Sequence, residues 1–429
     1  MKTYFSTRGK TATDVVTEVL TDVANRPAGE EICLHVMAFS FTDRAIAEAL
    51  LDLCARRPQT RLRLLSDWGQ LRHEPSVIPG MVDAAPPNVE FRFTADQPYL
   101  WDERHRRLRW SYHASRGFLH HKALIVLSDG QPDRLLCGSA NWTKTASRSY
   151  ENTLVLSAED RNEADAIARF ALEFESLWCD GRLTLSAPEA VAYEASIRGR
   201  FEMEAPNATG PRNTTFRFSD GKLDRLDWTF TAPGTGDEPP LSSAAHLEIA
   251  FSARREGREQ RFGYAQANHE RRLLLASPSG RRKSRPFSVT SMALAVIIAA
   301  RPGESLWLAM YGLSPRVAEY GALLDAARFG VFVRALLDAR VGGETATRLR
   351  HQARREDLPV EVRTCNRIMH QKYIVRPGSG ELATGTANMS TDSSLRHAEH
   401  RMLIVRSPSL ASAFADDFDR IWTAPHVAV

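Results

Sequence analysis

One short pattern of residues occurs twice in this chain, and it constrains the fold and the chemistry more than any other feature. Residues 119–151 and 369–399 each run His-x-Lys, three apolar residues, a turn, an apolar return, Gly-[Ser/Thr]-Ala-Asn, then a Glu ten or eleven positions on. Two ordinary hairpins with incidental polar residues would explain one copy. Matched His, Lys, Asn and Glu in both copies point to two halves supplying one site.

Each copy predicts a β-hairpin. Ala123 to Leu127 is an apolar run of strand length bounded by Ser-Asp-Gly-Gln-Pro-Asp, and Leu135 to Gly138 reads as the return strand. A turn centred near residue 131 places Lys122 opposite Ala140, beside Ser139 and Asn141. A second turn at Pro377-Gly378-Ser379-Gly380 places Lys372 opposite Thr386, next to Asn388. Side chains alternate faces along a strand, so His120 and Lys122 share one face and His121 takes the other. Gln371 stands where His121 does, which marks His121 as structural.

At 429 residues the chain is long enough for two or three structural units around a large core. Its 43% hydrophobic and 25% charged residues are ordinary for a soluble protein. Nothing approaches the roughly eighteen apolar residues of a membrane span, and the N-terminus lacks the apolar segment of a secretory signal. The five cysteines are scattered without metal-ligand spacing, and Cys33, Cys54 and Cys137 lie in apolar runs as buried thiols do. A reducing cytoplasm is the expected location. The formal charge of +4 permits a polyanionic partner without demanding one.

The order of elements also repeats. Helical spacing over residues 11–25 is followed by an apolar strand at 32–38, a helix capped within Ser40–Asp43, and a strand at 61–67. In the second half a helix at 291–300 precedes a strand at 306–310, a helix with Pro315 near its first turn, and a strand at 330–338. Each half closes on a helix carrying a core Trp, Trp178 or Trp422, and Phe39 and Tyr311, after matching strands, read as packing residues. Between the halves, residues 205–275 alternate apolar and polar with Gly- and Pro-rich turns, which predicts antiparallel strands, and a basic linker follows. The expected division is residues 1–200, a β-rich insert with linker at 201–285, and 286–429.

The duplicated residues resemble the phospholipase D superfamily, whose motif is HxKxxxxD followed by GSxN and a later Glu. The resemblance covers both halves but not the middle. It implies a duplicated α/β core of two mixed-sheet halves facing each other, with the small all-β insert between them. It implies catalytic roles for His120, Lys122, Asn141 and Glu151, matched by His370, Lys372, Asn388 and Glu399, with Ser139 and Thr386 as substrate-binding residues. It also assigns His120 as nucleophile and His370 as acid. The motif's Asp is replaced by Leu127 and Pro377. Tyrosyl-DNA phosphodiesterases and certain restriction-type nucleases in the superfamily also lack it, so its loss weakens a phospholipase reading more than a phosphodiesterase one.

The chemistry implied is phosphodiester hydrolysis through a phosphohistidine, with Glu151 and Glu399 fixing the tautomers. No metal or other cofactor is expected, because a Lys beside each His opposes a cation and suits an anionic phosphate. Arg104, Arg106, Arg107 and Arg109, interleaved with aromatics just before His120, are the expected nucleic-acid contacts. The preferred substrate is therefore DNA or RNA, without stable membrane insertion, and the insert is a candidate surface for a protein partner. The alternatives are a phospholipase D or phosphatidyltransferase acting on phospholipids, and a catalytically inactive nucleic-acid-binding relative.

Overall fold

The computed structural model describes residues 1–71, 73–94, 99–102, 107–111, 119–179, 184–192, 195, 215–216, 247–252, 289–390, 393 and 397–428. The first half runs β1 (Lys2–Phe5), α1 (Ala12–Ala24), β2 (Ile32–Ala38), α2 (Arg44–Arg56), β3 (Arg61–Asp67), α3 (Ile78–Asp83) and β4 (Val89–Thr94). It continues with β5 (Tyr99–Asp102), β6 (Arg107–Ser111), β7 (Lys122–Ser128), β8 (Gln131–Gly138), β9 (Asn152–Ser157), α4 (Arg161–Trp178) and β10 (Thr184–Ser186). After β11 (Thr215–Phe216), which pairs with β6, the second half begins at β12 (Leu247–Phe251). There follow α5 (Val289–Ala299), β13 (Ser305–Met310), α6 (Ala318–Arg328), β14 (Phe332–Asp338), α7 (Gly343–Glu356) and β15 (Val360–Cys365). The hairpin β16 (Lys372–Arg376) and β17 (Glu381–Gly385), then β18 (His400–Ile404), α8 (Pro408–Trp422) and β19 (Val427–Ala428) complete it.

The two halves have the same topology. One eight-stranded sheet is ordered β1-β9-β8-β7-β2-β3-β4-β10 and the other β12-β18-β17-β16-β13-β14-β15-β19. In each, three central strands run parallel and the remainder antiparallel, so both sheets are mixed. Local chemistry sets the elements. Thr11 and Asp14 form a reciprocal capping box that starts α1. Asp43 caps α2 by accepting from the N–H groups of Ala45 and Ile46. The strands β2 and β14 are apolar along most of their length because both sheet faces are covered.

Helices α1 and α2 cover the outer face of the first sheet, and α5, α6 and α7 that of the second. The inner faces share one apolar core with α4 and α8. Phe170, Phe174 and Trp178 of α4 and Phe414, Phe418 and Trp422 of α8 are buried there, so the closing helices join the halves as well as ending them. α4 packs against β12 of the other half, and α8 against β1. Phe5 meets Phe414 edge-on at 5.0 Å across that boundary.

Three expectations need correction. Leu247–Phe251, assigned to the insert, instead pairs antiparallel with β18, so the second half begins well before residue 286. An unpartnered β18 would expose a row of backbone donors and acceptors, and β12 covers it as β1 covers β9. Beyond β11, this strand and Ser252, residues 201–285 lie outside the described residues, as does the linker. The hairpin registers also differ. A two-residue turn at Asp129-Gly130, both at positive φ, and a bulge at Val126/Leu127 set Ala123 opposite Cys137. Tyr373 likewise pairs with Thr384, one residue short of the expected register. Finally, α6 starts at Ala318, so Pro315 lies ahead of its first turn.

Candidate active site

Each Lys of the duplicated motif begins a central strand, β7 or β16, and each His sits two residues earlier on the same face. The segment around each His is bonded to the other half. Leu119 bridges Ala398, and the His120 N–H donates to the Ala398 carbonyl at 3.0 Å. Tyr150 bridges Met369, and the His370 N–H donates to the Tyr150 carbonyl at 3.1 Å. The residue after each of these carbonyls is a motif Glu, so the glutamates cross over. Nδ1 of His370 is 2.9 and 3.0 Å from the two oxygens of Glu151, while Nδ1 of His120 lies in ion-pair contact with Glu399. Each half therefore supplies an imidazole oriented by the other half's carboxylate. With Nδ1 of each ring turned to a carboxylate, Nε2 is the nitrogen left without one.

Two serines that the sequence reading missed lock this crossing in place. Ser6 Oγ donates to the Ser149 carbonyl at 2.9 Å and accepts from the Glu151 N–H at 2.9 Å. Ser252 repeats this, donating to the His397 carbonyl and accepting from the Glu399 N–H at 2.8 Å. Both serines directly follow the outer strands β1 and β12, which explains why Leu247–Phe251 belongs to the second half.

The glycine of each Gly-[Ser/Thr]-Ala-Asn run is required by close approach. A Cβ on Gly138 would lie 2.3 Å from the Asn152 carbonyl oxygen, and one on Gly385 2.3 Å from that of His400. These are the residues directly after the glutamates, so the glycines let β9 and β18 carry Glu151 and Glu399 close in. Gly385→Ala is expected to destabilise the fold by about 3 kcal/mol, because the clash is with backbone. A thermal unfolding midpoint equal to wild type would show that the strand can move away.

Burial dominates the electrostatics. Lys122 and Lys372 are 2% and 0% exposed, and each donates to the carbonyl of the His two residues before it. Burial, reinforced by the charge of Lys372, holds Lys122 well below its usual range. Burial brings Lys372 down to about 8. It also lowers His370, against the pull of Glu151, and holds His120 well below its ordinary value with Lys122 adding to the effect. For Glu399 burial acts upward, but the charge and hydrogen bond of His120, helped by His397, hold it well below the carboxylate range. Burial thus favours neutral imidazoles, while their charge partner Glu399 is favoured as the carboxylate.

Other expected residues fall in different places. Ser139 and Thr386 are buried and bonded within the protein: Ser139 Oγ donates to Glu151 at 2.6 Å, and Thr386 accepts from the His400 N–H at 3.1 Å. Buried hydroxyls must find partners, and here the partners are the glutamate and its strand. Asn141 and Asn388 lie partly exposed on the loops after β8 and β17, and Asn388 Oδ1 accepts from the Gly312 N–H at 3.1 Å. His121 is buried with Nδ1 3.1 Å from Nδ1 of His400, away from the reactive rings. Arg104 and Arg106 lie outside the described residues, as do the side chains of Arg107 and Arg109 on β6.

Phe39 and Tyr311 pack directly against the paired His and Lys residues. Their rings lie 4.8 and 4.9 Å from His120 and His370, and 5.0 and 5.1 Å from the ammonium groups of Lys122 and Lys372. A third imidazole, His397, also reaches the site, with Nδ1 3.5 Å from Glu399. Donor atoms of His120, His397 and Glu399 lie within 4.8 Å of one another. The motif position usually held by Asp is Leu127, seven residues beyond His120 along β7. At about 3.3 Å per residue that is about 23 Å away, too far to touch a reacting group.

The family model described as "Cardiolipin synthase, PLD-like domain" matches residues 26–178 and 294–422, more than half of the chain. Among solved structures, a phosphatidylserine synthase from Haemophilus influenzae Rd KW20 is similar at a TM-score of 0.54 and 11% identity. That match covers 98% of this chain and 86% of that one. The phospholipase D family member Nuc from Salmonella typhimurium aligns at 18% identity and a TM-score of 0.28, over 41% of this chain and 93% of its own. A search of curated protein sequences returns no significant match. The duplicated sheets, the paired His-Lys motifs and the twofold family match together establish that the chain belongs to the phospholipase D superfamily.

Proposed function

We propose that this chain is a metal-independent phosphodiesterase that hydrolyses nucleic acid through a phosphohistidine on His120. The observation that carries the hydrolytic reading is the crossed pairing of His120 with Glu399 and His370 with Glu151 above two buried lysines. Nε2 of His120 attacks phosphorus in line, forming the N–P bond as the P–O bond to the leaving group breaks. His370, protonated once the anionic diester is bound beside it, gives its Nε2 proton to the departing oxygen. Neutral His370 then takes a proton from water, which attacks phosphorus and releases His120. Lys122 and Lys372 hold the non-bridging oxygens as their charge grows, with Asn141 and Asn388 as additional donors.

Nucleic acid as substrate is supported by the mixed basic and aromatic stretch at 104–113, shortly before His120, and the net charge of +4 permits it. Among the described residues no helix is long and apolar enough to cross a membrane. A second reading, phospholipid hydrolysis or phosphatidyl transfer, is favoured by the matched family's description.

Single-stranded DNA, duplex DNA, RNA and phosphatidylcholine offered side by side separate the two. Cleavage of a nucleic acid, undiminished by EDTA, is the expected result, because lysines take the charge-neutralising role that magnesium has elsewhere. Turnover confined to the phospholipid would establish the second reading. Activity abolished by EDTA and restored by magnesium would refute the mechanism.

A further inference from the structure

We infer that His397 is a positioning residue for His120, holding the Glu399 carboxylate that orients the nucleophile; this rests on the phosphodiesterase reading above. The two halves are nearly superimposable in how they deliver their glutamates, and they differ in how they hold them. In the first half, Ser139 Oγ donates to Glu151 while the carboxylate faces His370. In the second, the equivalent Thr386 places its hydroxyl against His400, where it accepts the backbone N–H at 3.1 Å and lies 3.4 Å from Nδ1. The place beside Glu399 is taken by His397, Nδ1 3.5 Å from the same Oε1 that His120 meets.

The backbone does not account for this difference. Ser6 and Ser252 fix segments 149–151 and 397–399 through the same pair of bonds. Ser149, at the position equivalent to His397, turns its hydroxyl to the Thr145 carbonyl at 3.3 Å. His397 turns inward, its ring 5.5 Å from that of His120 and inclined at 30°. Glu399 is wholly buried, whereas the His397 side chain keeps 18% of its surface. One carboxylate oxygen thus lies against two imidazoles. Without His397, that oxygen keeps only the His120 contact, and the aim of His120 Nε2 along the in-line path loosens.

The test compares His397→Ala and His397→Gln with wild type on a nitrophenyl phosphodiester. Gln keeps an N–H that can reach Glu399. A positioning role predicts that His397→Ala lowers kcat about tenfold or more with KM unchanged, and that His397→Gln recovers most of the loss. An unchanged kcat, a loss that falls wholly on KM, or no recovery with Gln would overturn it. A second readout needs no turnover: the nitrogen-15 resonance of the His120 Nδ1–H in histidine-labelled protein. His397→Ala should shift it, and an unmoved resonance counts against the inference. A shifted resonance in a protein that hydrolyses no phosphodiester would sustain the coupling and discard the functional reading instead.

Discussion

His120→Ala and His370→Ala are each expected to lower turnover by at least about a thousandfold, although each leaves the other half's motif intact. Each half offers one reactive imidazole, and each imidazole depends on a carboxylate from the opposite half. Neither motif can therefore supply both nucleophile and acid. The double variant should be no worse than either single one, because groups acting as a unit are not additive. What the variants leave behind should differ. Without His370 the attacking nitrogen survives but water activation does not. A substrate whose leaving group needs little protonation should then trap a covalent adduct on His120. Without His120 no adduct should form. Intact-protein mass spectrometry after incubation with a nitrophenyl phosphodiester distinguishes the cases. An adduct on His370 would exchange the two roles, and substantial turnover by both single variants would refute the shared site.

The sequence makes the repeated α/β order legible because its signals are local. The run at 32–38 is apolar enough to be a buried strand whatever surrounds it, and Thr11 with Asp14 marks the start of α1 within four residues. The paired His, Lys and Glu residues are legible because they recur at fixed spacing. What escapes is non-local. Spacing alone does not show that Glu151 serves His370 and Glu399 serves His120, since that depends on how the two halves face each other. Ser6 and Ser252 escape for the same reason: each lies far along the chain from the Glu it fixes. The strand at 247–251 shows the right alternation, but the long stretch before α5 hides its kinship with β1. His397 becomes visible only when the copies are aligned backward from their glutamates, which sets it against Ser149. Register failed at single-residue precision, because a positive-φ Asp-Gly turn and a bulge move a hairpin without changing its apolar pattern.

Lys372→Met is expected to lower kcat/KM about a hundredfold to a thousandfold, the size of losing one donor to a developing oxyanion in a dry site. Wild type should also carry a signature of the same ammonium in its pH profile. Burial brings Lys372 down to about 8, so its charge is lost as the pH rises through that value. A phosphodiester remains a monoanion throughout this range, so a fall of kcat/KM above about pH 8 reports the free enzyme rather than the substrate. The accompanying change in stability has the opposite sign. Lys372 has a lower pKa in the fold than in the unfolded chain, where the ordinary value is 10.5. Between these values the unfolded state binds more protons, so this group's contribution to stability rises with pH. Activity should therefore fall across pH 8 to 10 while the cost of burying charged Lys372 is relieved, which separates loss of charge from denaturation. In Lys372→Met the residual activity should lack that alkaline limb, and its stability should lack the matching rise. A kcat/KM that stays level to pH 10 in wild type, or an alkaline limb unchanged in the variant, would remove Lys372 from the charge-holding role.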